Sequence, residues 1–169
     1  FPGKTRNPHH SDHTPGGSSQ GSAAAVADFM VPFAIGSQTA ASVIRPAAFC
    51  GVVGYKASVG QFPLNGALTL SYSMDSLGFF VRSVEDLQLL RNVLLDVSRE
   101  ATGLKPRKIG LVRTPFWSEL DSESQLTIEA VGRDLAISGI ELTEVDVDGQ
   151  AGVNLVDAHQ TLMAFEVAR

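Results

Sequence analysis

Two stretches dominated by small residues constrain this chain more than anything else in it. The first is Thr14-Pro15-Gly16-Gly17-Ser18-Ser19-Gln20-Gly21-Ser22; the second runs Gly36-Ser37-Gln38-Thr39-Ala40-Ala41-Ser42-Val43-Ile44-Arg45-Pro46-Ala47-Ala48-Phe49-Cys50-Gly51. Backbones with so little side chain can approach each other, or a ligand, closely. Between them, Ser22 to Val31 is almost wholly apolar or Ala. A helix apolar on every side is a buried one, so a central helix is expected there. Pro32 would end it, and Phe33-Ala34-Ile35 reads as a short buried strand. A second short helix is expected to start near Ser42, with Pro46 in its first turn, where a missing N–H costs little. Residues 1–22 have no period of 2 or 3.6 and read as loop.

The rest of the chain alternates strand and helix. Val52 to Gly60 and Gly78 to Val81 are strand candidates. Ser83-Val84-Glu85-Asp86 resembles a capping box and precedes Leu87, Leu90, Leu94 and Val97 at helical spacing. Lys108 to Arg113 reads as a strand. Ser122-Glu123-Ser124-Gln125 reads as a capping box for a helix whose apolar face is Leu126, Ala130, Val131 and Leu135, with Gly139 as its stop. Ile140, Leu142, Val145 and Val147 form the next strand. Strand, helix and strand with short joins make a βαβ unit, hence parallel strands and an α/β fold.

Composition narrows the function. The 169 residues suit one domain or part of one, and with 44% hydrophobic and 18% charged residues a packed core is expected. A net charge of -5 argues against a nucleic-acid partner, which would require clustered Lys and Arg. The single cysteine, Cys50, excludes an internal disulfide framework and suits a reducing, cytoplasmic setting. No apolar run approaches the roughly 18 residues of a membrane span; Asp28 and Pro32 interrupt the most apolar stretch. Phe1-Pro2-Gly3-Lys4 is not a secretory leader, and Phe165-Glu166-Val167-Ala168-Arg169 closes in a helical pattern. The chain therefore reads as incomplete at both ends.

The small-residue stretches carry the chemistry. A Gly/Ser loop feeding a helix can turn N–H groups and hydroxyls towards a reacting oxygen. Successive N–H groups ahead of the second helix could form an oxyanion hole, and a serine there could act as nucleophile. Other readings compete. Ser18 and Ser42 could be loop and helix-cap serines. Gly17-Ser18-Ser19-Gln20-Gly21 matches a nucleophile elbow centred on Ser19, though that motif requires a preceding strand where His9 to Pro15 is polar and turn-like. His9, His10, Asp12 and His13 could gather a metal, although such loop histidines are more often solvated, so no metal is assigned. Gly3-Lys4-Thr5 lacks the strand and first glycine of a phosphate loop. Cys50 among apolar residues reads as core, and Lys56 as structural.

Gly-Gly-Ser-Ser-x-Gly-Ser, then Thr39 with two small residues and Ser42, then Arg45-Pro46-Ala47-Ala48-Phe49-Cys50-Gly51-Val52, is similar to the amidase signature. Thr5-Arg6-Asn7-Pro8, Gly54-Tyr55-Lys56 and Ser73-Met74-Asp75-Ser76-Leu77-Gly78 also resemble that family, most clearly from Thr5 to about Leu90. The resemblance implies a mixed sheet flanked by helices, with residues 1–169 part of a single amidase-like domain. It implies Ser42 as nucleophile and Ser18, on a cis peptide bond, as the bridging proton relay. The N–H groups of Thr39, Ala40, Ala41 and Ser42 would be the oxyanion hole, supported by Gly16, Gly17, Ser19 and Asp75. The implied activity is hydrolysis of a C–N amide bond, with no cofactor; the partner is a small-molecule amide substrate, and a homodimer would not be surprising.

The departures are specific. The family's catalytic lysine precedes the bridging serine by many dozens of residues, and Lys4, the one lysine before Ser18, sits in no matching motif. Ala40-Ala41 replace the commoner Gly-Gly, Gln38 stands where Asp is common, Arg45 lies one place late, and Phe79 replaces a usual Pro. Two alternatives follow: an inactive fragment or pseudoenzyme serving as an interaction module, or one component of an amidotransferase that passes ammonia onward.

Overall fold

The computed structural model of the chain describes residues 3–95, 106–146 and 149–168. They fall into two compact units, Phe1–Arg99 with Met163–Arg169, and Glu100–Leu162. The expected helical residue Val97 and strand residue Val147 lie outside the described residues.

In the first unit the Gly/Ser loop enters α1, Gln20–Ala27, whose Ala23, Ala24, Val26 and Ala27 are buried. The helix is shorter than expected and stops well before Pro32. Phe29, at φ 59°, turns the chain out of it, and the Arg82 guanidinium donates to the Val26 and Val31 carbonyls at 3.2 and 2.9 Å. The first of these bonds answers one of the acceptors that any helix end leaves open. The chain then forms β1, Phe33–Gln38. Contrary to expectation β1 is not a buried strand: Phe33 and Ile35 are about half exposed on one face, while Ala34 packs against the core on the other. α2, Ile44–Phe49, begins two residues after Ser42, and Pro46 does lie in its first turn.

β2, Val53–Lys56, and β3, Ser76–Val81, complete an antiparallel sheet in the order β1-β3-β2. β3 is the central strand and is buried along most of its length, as a strand covered on both faces must be. Its alternation divides two cores. Phe80 packs with Ala23, Val26, Val43, Ala47 and Cys50 of the α1/α2 side. Phe79 packs with Ala57 and Phe62, and with Leu87 and Leu90 of α3, Val84–Leu95. The Phe79 ring meets Phe62 edge-on at 5.2 Å and lies parallel to Tyr55 at 6.2 Å.

The second unit contains the expected βαβ element. β4, Lys108–Val112, and β5, Glu141–Val145, pair in parallel around α4, Ser122–Ile137. The cap of α4 is Asp121, one residue earlier than the pattern suggests: its carboxylate accepts from the Ser124 N–H at 2.7 Å and from the Ser124 hydroxyl at 3.0 Å. Gln125 instead reaches back to the Trp117 and Leu120 carbonyls. Gly139, at φ 83°, ends α4, its N–H and that of Ile140 bonding back to Ala136 and Leu135. α5, Gly149–Val167, follows, and its residues from Met163 group with the first unit. The α/β class holds, with antiparallel and parallel pairing both present in two small sheets.

Candidate active site

The two small-residue stretches lie side by side. The Ser19 N–H donates to the Ser42 carbonyl at 3.1 Å, so the residue after Ser18 is bonded to Ser42 itself. The Gly17–Ser18 peptide bond is cis, as the resemblance implies. Gly16 has φ 79°, and a Cβ there would stand 2.9 Å from the Pro46 Cα; only glycine lets the loop lie on the first turn of α2. The Ser19 hydroxyl reaches the Ser37 carbonyl at 3.4 Å, and Ser22 Oγ donates to the Ile35 carbonyl at 2.9 Å. Both bonds tie the start of α1 to β1. Ser18 is exposed and Ser42 half-buried.

The turn from Thr39 to Val43 is held from within the fold. Gln38 is buried, and its Oε1 accepts from the Val43 and Ile44 N–H groups at 2.9 and 3.0 Å while its Nε2 donates to the Ala40 carbonyl at 2.7 Å. It thereby caps α2, whose own N-cap residue Val43 has no side-chain acceptor. An ionised aspartate could accept but not donate, so the amide is what allows both ends of the turn to be gripped by one side chain. Neither Ala40 nor Ala41 has a positive φ, so alanine fits where the family commonly has glycine. Asp75, also buried, accepts from the Thr39 hydroxyl through Oδ1 at 2.5 Å and from the Leu70 and Ser71 N–H groups through Oδ2 at 2.6 and 3.1 Å.

The flanking loop is stitched to the far end of α2. Buried Asn7 donates to the Phe49 carbonyl at 2.7 Å and to the Thr14 carbonyl at 3.3 Å, and accepts from the His9 N–H. His9 Nε2 lies 2.9 Å from the Cys50 carbonyl, and the His10 and His13 rings meet edge-on. Among the described residues no three His, Cys, Asp or Glu side chains are grouped to hold a metal ion. Burial pushes the Cys50 thiol up, and its Sγ faces the Pro15 carbonyl, which fits a core residue and not a nucleophile. Ser19 begins α1 after irregular chain, without the strand that an elbow requires.

The sequence singled out Gln38 only as a departure and passed over Asn7, Ser71 and Glu166 as individual residues. A buried amide among small residues was the available signal for Gln38, since a buried polar side chain must find partners. For Glu166, whose partners lie more than ninety residues away, no local signal exists.

The Amidase family model matches residues 1–165. A glutamyl-tRNA(Gln) amidotransferase subunit of Endomicrobium trichonymphae is 52% identical over 91 residues, covering 54% of this chain and 19% of that protein. Indoleacetamide hydrolase of Rhizobium radiobacter is 37% identical over 147 residues, covering 86% of this chain and 32% of that one. A crystal structure of an amidase superposes with a TM-score of 0.86 at 33% identity, over 97% of this chain and 37% of that one. The chain thus spans a third or less of the length of these curated relatives.

Proposed function

We propose that this chain, which belongs to the amidase family over residues 1–165, supplies the serine machinery for hydrolysing a linear C–N amide bond. The observation that carries the reading is the bond from the Ser19 N–H to the Ser42 carbonyl, which joins the segments bearing the two signature serines. Ser42 Oγ attacks the amide carbon and its proton passes to Ser18, which relays it towards the leaving nitrogen. The Thr39 to Ser42 N–H groups receive the oxyanion of the tetrahedral intermediate. Collapse expels ammonia or an amine and leaves an acyl group on Ser42. Water then attacks that ester, giving the acid and restoring the serine. The lysine that receives the first proton in the family would come from outside these residues. Both compact units are read as parts of one amidase-like domain, in a cytoplasmic setting and acting on a small-molecule amide.

The test uses the complete protein that carries this chain. Ser42→Ala is expected to lower kcat on the order of 10⁴-fold or more, and a fluorophosphonate probe to label Ser42 in the unsubstituted protein. Labelling at Ser19, or turnover surviving in Ser42→Ala, would remove the assignment. No labelling and no turnover would favour an interaction module. The 52% identity to a component of an amidotransferase supports a second reading of the same chemistry, in which the released ammonia is handed to another active site. Free ammonia appearing in step with amide loss, in the protein alone and with its natural partners, would argue against that variant.

A further inference from the structure

The fold carries a second buried carboxylate behind the candidate oxyanion turn. Glu166, near the end of α5, is 7% exposed, and its Oε2 accepts from the hydroxyl of Ser71, which is fully buried, and from the Ser73 N–H at 3.3 Å. Ser71 is the hub of the turn it belongs to. Its carbonyl accepts from the Met74 and Asp75 N–H groups at 3.3 and 2.9 Å, and its own N–H donates to Asp75 Oδ2. Asp75 in turn holds the Thr39 hydroxyl. A continuous path of hydrogen bonds thus runs from Glu166 through Ser71 and Asp75 to Thr39, the first residue of the turn that ends at Ser42.

We infer that Glu166 is a positioning residue for the oxyanion turn, acting through Ser71 and Asp75 and touching neither substrate nor nucleophile. This inference rests on the serine-amidase reading of Ser42. Its physical basis is the directionality of the path. Asp75 can present Oδ1 to Thr39 only while Oδ2 is fixed by the 70–71 backbone, and Glu166 fixes that backbone from the other side. Burial alone would raise the Glu166 carboxyl, but hydrogen bonds from Ser71, Ser73 and Tyr72 outweigh it and hold the group below the usual glutamate value. An ionised carboxylate is the form that accepts all of these bonds. A small loss of alignment at oxyanion donors lowers the chemical step while leaving substrate binding largely intact.

The experiment measures kcat, KM, melting temperature and the rate of fluorophosphonate labelling for Ser71→Ala, Glu166→Ala and Glu166→Gln in the complete protein. Ser71→Ala and Glu166→Ala are expected to lower kcat about 10- to 100-fold with KM within about twofold. Glu166→Gln, which keeps one acceptor for the Ser71 hydroxyl, is expected to recover most of that loss. In a Thr39→Val background, Ser71→Ala should lower kcat much less than it does alone, because the path already ends before the turn. If Glu166→Ala fails to fold, Ser71→Ala decides the matter, since it removes a single buried oxygen. Wild-type kcat in folded Ser71→Ala would overturn the inference, as would a fall in melting temperature with unchanged kcat. If Ser42 of the unsubstituted protein is not labelled, the amidase reading fails first and this inference with it. Labelling at Ser42 that is indifferent to Ser71→Ala would remove the inference alone.

Discussion

A methyl group on Gly36 would stand 2.6 Å from Ser19 Oγ and 2.9 Å from the Phe80 ring, inside the distance at which atoms can rest. β1 and the start of α1 meet at this point, next to Ser18. Gly36→Ala is therefore expected to cost about 1–3 kcal/mol in overpacking and to lower labelling of Ser42 along with stability. Urea unfolding together with the probe reaction checks both. Gln38 gives a complementary case. Gln38→Ala strips partners from the Val43 and Ile44 N–H groups and the Ala40 carbonyl, and about 1–3 kcal/mol per group left buried without a partner is at stake. Gln38→Asp should restore the acceptor but not the donor, and so should fall between Gln38→Ala and the parent protein in melting temperature. At this scale the sequence was legible where the signature is dense: Ser18, Ser42, Thr39 and Asp75 all sit in motifs a reader can match. Gln38 was visible only as a mismatch, because its task depends on three backbone groups that become neighbours after the turn forms.

Among the elements, β3 decides how the first unit is assembled. Phe79 and Phe80 point to opposite sides of the sheet, one towards α3 and one towards α1 and α2. Either truncation to alanine should cost about 3–5 kcal/mol, but with different consequences for chemistry. Phe80→Ala empties the core that also contains Val43 and Ala47, beside Ser42, and is expected to slow Ser42 labelling at temperatures where the protein is still folded. Phe79→Ala loosens the α3 side and should lower stability with the labelling rate nearly unchanged. The departure from proline at position 79 thus has a structural use, since an aromatic ring here anchors the second core. Elements with long, regular patterns, such as α4 and its flanking parallel strands, were readable from periodicity. The boundaries were not: Asp121 displaced Ser122 as the cap because its carboxylate reaches the Ser124 N–H, and α1 ends early at a turn through Phe29, where Arg82, far along the chain, holds the Val26 carbonyl. Long-range partners of this kind leave no trace in a local window.

For the whole molecule, two carboxylates link stability to pH. Hydrogen bonds from Ser124, first from its N–H and then from its hydroxyl, hold Asp121 below the usual aspartate value. Against the cost of burial, bonds from Ser71, Ser73 and Tyr72 hold Glu166 below the usual glutamate value. Groups depressed in this way stabilise fully once the unfolded carboxylates are ionised, above about pH 4.5. That stabilisation is lost as pH falls through the lower folded-state values. Urea midpoints at pH 7, 5 and 3 should therefore be similar at the first two and lower at the third, and Glu166→Gln should reduce the drop. An unchanged drop in Glu166→Gln would mean that other carboxylates dominate. The strand–helix–strand pattern made the α/β class legible from sequence and the resemblance the amidase family, whereas the pairing of β3 with both β1 and β2 became visible only in the structure.

That pairing also sets a rule for how this segment can change length. Asp75 holds the Thr39 hydroxyl, while Phe79 and Phe80, a few residues on, belong to two different cores. Inserting or deleting one residue between them would exchange the faces of the two rings, sending each into the wrong core. A change of two would keep the faces but draw Asp75 a full strand repeat away from Thr39. Natural variation in length is thus expected on either side of this segment, for instance among residues 58–69, and not within it. Parity along a single strand keeps the chemistry and the core in step.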